Sequence, residues 1–303
     1  MEFFKHLKLN ISLNWNIIDR AYNMFKPLLN VNSSYMTFSD ELYNSFKLEG
    51  TKLTSSVKNK LLNYDGYDLK TIHQIITESK CAFERKVNVY VKNNFDDVLH
   101  VGLQPSKINY EWLQCWVNDF YTYHFKSSVE KMFCGFILYL FYIRIHPHQD
   151  GNGRTSRYVF LENKLLEGTE NYFPLSTIIE SNMFRTVNNN MGELMKLIDF
   201  SDKNISEDKY YSLTLSDKNV KMILYIMYIS IVYKHLKVSS PKECEIYEEY
   251  ESFGDMISHY RNPLMGTTFT ESDMSIVKDI KHFIERYVDI MKHSQVLKVL
   301  DVL

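Results

Sequence analysis

Residues 146 to 157 read HPHQDGNGRTSR, which packs a histidine, an acid, a Gly-Asn-Gly turn and two arginines into one short run directly after a long apolar segment. Those types at that spacing suit a site that grips a polyphosphate and moves a proton. Successive main-chain N–H groups in a glycine-rich turn form an anion-binding concavity, and a helix starting there adds its positive end. Arg154 and Arg157 lie three apart, so on that helix they share a face and can address oxygens of one ligand. Asp150 offers a hard oxygen to Mg2+, which binds through one or two carboxylates plus substrate phosphates. His146 is the one nearby group suited to act as a base near neutral pH.

The run resembles the signature of the Fic family, HxFx(D/E)GNGRxxR, which His146, Asp150, Gly151, Asn152, Gly153, Arg154 and Arg157 match. It departs at His148, where the family has a Phe whose ring anchors the loop in the core. Two readings of His148 arise, and the first is preferred because the other histidines are scattered singly and supply no further zinc ligands. In one, its ring fills the aromatic slot and finds a hydrogen-bond partner. In the other, His146, His148 and Asp150 form a zinc site, since HxHxD resembles the first motif of metallo-β-lactamase-like hydrolases; Gly151 stands where those continue with another His.

Upstream, SFKLEG (Ser45 to Gly50) resembles the family's inhibitory-helix motif, (S/T)xxxE(G/N). Ser39 followed by Asp40 and Glu41 reads as a helix start and Gly50 as its stop, which puts Ser45 and Glu49 one turn apart on one face of a helix over about 39–50. Between the two motifs, KVNVYVKNNFDDVLHVGLQP reads as a hairpin over about 87–102: Val87, Val89 and Val91 alternate with other residues, a polar turn follows, and Val98 to Val101 run back. The segment NNMGEL, with Asn190, loosely resembles the family's adenine-side element.

The elements that must position these residues read as mainly helical. Only ten glycines and six prolines punctuate 303 residues, and apolar residues recur at helical spacing. Residues 108–125 and 127–145 read as two helices, the second delivering His146 at its C-terminal end. A stripe from Ile276 to Met291 reads as another, with Thr270 and Asp273 at its start. The expected organisation is N-terminal helices over 1–65, a core with a hairpin flap over 66–200, and a helical extension over 201–303.

With 45% apolar residues the chain can bury a large core, and a net charge of -2 gives no reason to expect nucleic acid or an anionic membrane as a partner. Cys81, Cys115, Cys134 and Cys244 are too scattered for a disulfide framework or a zinc knuckle. The N-terminus lacks a secretory apolar core, and the apolar stretches 133–145 and 222–233 are too short to span a bilayer. A cytoplasmic protein, or one delivered into a host cell, is expected. The five glutamates within 243–251 read as a solvated face.

What the resemblance implies is a protein adenylyltransferase, carrying AMP from ATP to a Ser, Thr or Tyr hydroxyl of a target protein docked on the flap, a homodimer being left open. His146 would take the hydroxyl proton, Asp150 would hold Mg2+, Gly151, Asn152 and Gly153 would line the anion hole, and Arg154, Arg157 and Asn190 would bind nucleotide. Ser45 and Glu49 would regulate, Glu49 by pairing with Arg157. Two alternatives remain: removal of AMP or transfer of another nucleotide on the same site, and a weak nucleotide-binding or docking module arising from His148.

Overall fold

The computed structural model describes residues 3–4, 9–12, 38–92, 98–166, 176 and 211–214. The apolar stretch 222–233, the helix expected over 270–291, the acidic run 243–251 and Asn190 lie outside those residues. Within them the chain is mainly helical. Six helices follow in order: α1 (Phe38–Leu48), α2 (Ser55–Leu62), α3 (Leu69–Ile76), α4 (Tyr110–Thr122), α5 (Ser128–Ile145) and α6 (Asn152–Arg157), the last continuing as a π-helical turn over Tyr158–Glu162. Two small sheets complete the order. β1 (Leu9–Ser12) pairs in parallel with β4 (Tyr211–Thr214), a pairing the sequence reading did not foresee, and β2 (Tyr90–Lys92) pairs antiparallel with β3 (Val98–Val101).

Local signals fix most helix starts. Thr54, Asp68, Asn109 and Ser127 each accept a hydrogen bond from a first-turn N–H of α2, α3, α4 and α5, at 3.2, 2.8, 3.1 and 3.1 Å. Each satisfies a donor that the helix itself leaves open, a stabilisation of about 1 kcal/mol apiece. The last turn of α1 is equally determined. Thr51 N donates to Phe46 O and Gly50 N to Lys47 O, while Gly50 takes φ +63°, so the chain leaves α1 through a left-handed glycine that projects Glu49 sideways. The helix runs from Phe38 to Leu48, against an expected span of about 39–50.

α5 is apolar on all sides because it is the buried axis of the core, with Phe133, Phe136, Ile137, Leu140 and Phe141 all fully covered. α4 packs along it, and so do α6 and the π-turn. The approach is closest at Gly135, where a Cβ would meet the Phe160 carbonyl at 2.7 Å and the Phe120 ring at 2.9 Å. In the π-turn, the Val159 carbonyl accepts from the Tyr121 hydroxyl at 2.5 Å, a tertiary partner for that main-chain group.

The hairpin pairs a shorter first strand than the alternation of Val87, Val89 and Val91 predicts. Tyr90 faces Val101 and Val91 faces His100, with an irregularity before Lys92 pairs Val98. Val87 stays out of the ladder because its carbonyl accepts from the Arg85 guanidinium at 2.7 Å.

Candidate functional site

His146 sits where α5 stops. It takes φ +52°, ψ +59°, a left-handed conformation that costs a non-glycine residue about 1–2 kcal/mol, and its N–H closes the helix on Tyr142 O. Its ring Nδ1 donates to Ile143 O at 3.3 Å, which fixes the tautomer and leaves Nε2 as the basic nitrogen. Burial, with a smaller opposing effect from the Ile143 hydrogen bond, brings the imidazole down to about 4, so it is neutral and able to accept a proton at pH 7.

The loop that follows folds back through His148 and Asn152. Asn152 accepts from His148 N at 2.8 Å and donates to His148 O at 2.8 Å, so this nearly buried amide locks the turn from within. The expected place of Asn152 in an anion hole has to be met by the second N–H of its amide, since one donates to His148 O. The His148 ring is fully buried against His73, Phe83 and Tyr142, with centroids at 4.0, 4.8 and 5.7 Å. Its Nδ1 donates to Phe83 O and its Nε2 accepts from the Tyr142 hydroxyl. Both nitrogens are therefore engaged by the core in the neutral ring, which burial holds well below the usual histidine range. That geometry fills the aromatic slot and disagrees with the zinc reading of His146, His148 and Asp150. Among the described residues no cluster of three or more histidine, cysteine or carboxylate groups could hold a metal ion.

Gly151 opens α6 at φ +77°, and a Cβ there would meet the Thr77 methyl at 2.7 Å, so glycine is required twice over. No side chain caps α6. Asp150 lies at the mouth: its Oδ1 accepts from Gly151 N at 2.6 Å, its Oδ2 pairs with Arg154 Nη2 at 3.1 Å, and its side chain is 61% exposed. One exposed carboxylate fits a Mg2+ ion whose remaining ligands come from phosphate and water. Arg154, itself nearly buried, has a buried Nε with no hydrogen-bond partner among the described residues, a donor left over for a ligand.

Arg157 is fully buried, and the residues named by the upstream motif surround it. Its Nε donates to Ser45 Oγ at 2.9 Å, its Nη2 to Ser45 O at 3.0 Å and to Glu49 Oε1 at 2.9 Å. The Glu49 carboxylate also lies directly on Gly153, where a Cβ would collide with it. An anion of the protein itself thus occupies the space above the glycine turn and beside the arginine. Behind Arg157 the π-turn buries Glu162, which accepts from Ser176 N at 3.1 Å and from Ser176 Oγ, and which shares a hydrogen bond with Glu41 of α1. Burial pushes Glu162 up to about 7, and the Arg157 charge opposes that rise.

The structure therefore brings together His146, Asp150, Gly151, Asn152, Gly153, Arg154 and Arg157 with Ser45 and Glu49. Several further residues escaped sequence reasoning. His73 Nε2 donates to Asp150 O at 3.1 Å, His100 Nε2 to Arg144 O at 2.6 Å, and Arg85 and Tyr110 hold the carbonyls on either side of the loop start. None sits in a spacing pattern, so no local signal marks them. No protein-family model matches the chain, and no curated protein matches it.

Proposed function

We propose that the chain is a nucleotidyl transferase of the Fic type, and specifically a protein adenylyltransferase held in check by its own α1. The observation that carries this reading is the Glu49 carboxylate resting on Gly153 and Arg157. A carboxylate seated among a glycine turn and a buried guanidinium marks the place as an anion site, and it competes there with a terminal phosphate.

In the reaction, Nε2 of His146 takes the proton from a target hydroxyl, and the oxygen attacks the α phosphorus of ATP. The bond from that phosphorus to the β-bridging oxygen breaks, and pyrophosphate leaves. Asp150 would hold Mg2+ together with the phosphates, and the ion would offset charge on the leaving group. Arg154 and Arg157 bind phosphate oxygens once Glu49 has moved, and the main chain around Gly151 and Gly153 permits close approach. The flap supplies the target contact. Tyr90, Val98 and Val101 are about half exposed beside two strands with no third neighbour among the described residues, a place for an extended segment to add as a strand. No helix among the described residues is long and apolar enough to cross a membrane.

A docking module without catalysis is the competing reading, and its motive was His148. The hydrogen-bonded fit of that ring in the aromatic slot favours the enzyme. If α1 closure is favoured by about 3 kcal/mol, fewer than about 1% of molecules are open, a loss on the order of a hundredfold. Incubation with α-labelled ATP and cell extract tests the proposal: Glu49→Gly raises AMP incorporation about a hundredfold, and His146→Ala in that background removes it. Equal rates in Glu49→Gly and wild type, or labelling that survives loss of His146, defeat it.

A further inference from the structure

We propose that Arg85 and Tyr110 are positioning residues for His146, a buried brace that holds the left-handed turn and ties it to the base of the flap. The proposal rests on the transferase reading for its catalytic consequence and on geometry alone for the brace.

Arg85 is 4% exposed, yet among the described residues its guanidinium meets only main-chain carbonyls. Nε donates to His146 O at 2.7 Å, Nη1 to Val87 O at 2.7 Å, and Nη2 to Leu103 O, with Ile145 O farther off at 3.5 Å. Those carbonyls belong to the lead into the hairpin, the exit from it, and the first residue of the loop. The main-chain N–H of Arg85 donates to the Tyr110 hydroxyl at 2.9 Å, and that hydroxyl donates to Pro147 O at 2.6 Å. The carbonyls of His146 and Pro147 are thus gripped from one point. Room for the grip is provided by Gly102, where a Cβ would meet His146 Cβ at 2.9 Å and Arg85 Nη2 at 3.0 Å.

A rigid planar fork is what spans three carbonyls at once; an ammonium on a flexible stem does not reproduce it. A strained main-chain conformation persists only where its surroundings over-determine it, and at His146 the brace, the α5 end and the Leu103 N to Ile145 O bond at 3.0 Å do so. The consequence is directional. Aligning the ring with Nδ1 on Ile143 O keeps Nε2 free as the base, and the same brace sets its register against whatever strand the flap receives.

The test uses the full chain carrying Glu49→Gly, with Arg85→Lys or Tyr110→Phe added. Three quantities are read: kcat for AMP transfer, the Kd for ATP with Mg2+, and the His146 tautomer by nitrogen-15 histidine NMR. Arg85→Lys is expected to lower kcat by about a hundredfold, the scale of a misplacement near 1 Å, and Tyr110→Phe by about tenfold. Kd should stay within about twofold in both, and the His146 signal should lose its single Nδ1–H form. A kcat that falls only as far as the folded fraction falls, with the His146 tautomer intact, overturns the brace. If Arg85→Lys does not fold, Tyr110→Phe decides by the same readings. Should Glu49→Gly itself transfer nothing, the transferase reading fails, and the NMR signal alone still upholds or overturns the brace.

Discussion

The two sides of α6 are held by different physics. On the side of the flap, His146, His148, Asn152 and Arg85 are fixed by hydrogen bonds to main-chain carbonyls and by neutral imidazoles packed on one another. On the side of α1, Arg157, Glu49, Glu162 and Glu41 form a cluster of ionisable groups, and the contact reaches half-open solvent at Glu49, whose side chain is 36% exposed. Hydrogen bonds inside a packed core break together or not at all, because an orphaned buried group costs about 1–3 kcal/mol. The buried Arg157 guanidinium is reached from the half-open Glu49 side, so an incoming anion can take the place of the carboxylate without leaving that cation unpaired. The loop is therefore the fixed part of the site and α1 the exchangeable part, which suits a catalytic frame covered by a removable inhibitor.

The sharpest way to break that contrast is to damage the fixed side. Beyond His146→Ala, which should remove AMP incorporation in the Glu49→Gly background because the imidazole is the proposed base, His148→Phe installs the Phe of the motif that the loop resembles and is informative for that reason. A phenyl ring fits the slot between His73, Phe83 and Tyr142 but strands Phe83 O and the Tyr142 hydroxyl. We expect a stability loss of about 2–4 kcal/mol in denaturant melts, with transfer in the Glu49→Gly background falling no more than about tenfold. Unchanged stability would mean that the two hydrogen bonds of His148 do not hold the loop.

On the exchangeable side, Ser45→Ala removes the acceptor of Arg157 Nε and leaves Glu49 in place. Hydrogen bonds to charged groups contribute about 1.5–3 kcal/mol, and only part of that distinguishes closed from open. Wild-type transfer should rise about tenfold, less than for Glu49→Gly, while thermal stability falls slightly. A rise equal to that of Glu49→Gly would assign the closure to the serine rather than to the carboxylate.

The same contrast explains what could be read from the sequence. The fixed frame was legible where chemistry is written in consecutive residues: HPHQDGNGRTSR gave the glycine turn, the acid and the arginines, and the apolar run before it gave α5. The helix of α1 was legible from Ser39, Asp40, Glu41 and Gly50, to within two residues at its ends. Arg85, Tyr110 and His73 were not, because each acts through main-chain atoms distant in sequence, and a carbonyl carries no residue-type signal. Val87 shows the same effect in reverse. Alternation placed it in a strand, and a side-chain hydrogen bond from Arg85, two residues earlier and itself anchored on the loop, kept it out. Whether 201–303 forms the expected helical extension lies outside the described residues, apart from β4 at Tyr211–Thr214.

The smallest expected effect is on pH, and its sign differs between the two sides. His100, on β3 of the flap with its ring buried beside Arg144, is brought down to about 4 from 6.5, mainly by burial. A group whose folded pKa is depressed lends stability that is present above its unfolded value and is lost as pH falls from about 6.5 towards 4. Glu162 has the opposite sign. Its folded value near 7, against 4.5 unfolded, lends stability that is full below 4.5 and is lost as pH rises through 7. The groups around Glu162 are Glu41 from α1, Arg157 one turn before it, Tyr139 from α5 and Ser176, and Arg157 is the only cation among these. Ionised Glu162 therefore competes with Glu49 for the guanidinium, which loosens α1. Between pH 6 and 8, wild-type transfer should climb a few-fold more steeply than that of Glu49→Gly, in which α1 no longer closes the site. Glu162→Gln should flatten the difference, and parallel profiles for wild type and Glu49→Gly would leave the α1 contact insensitive to its buried carboxyl pair.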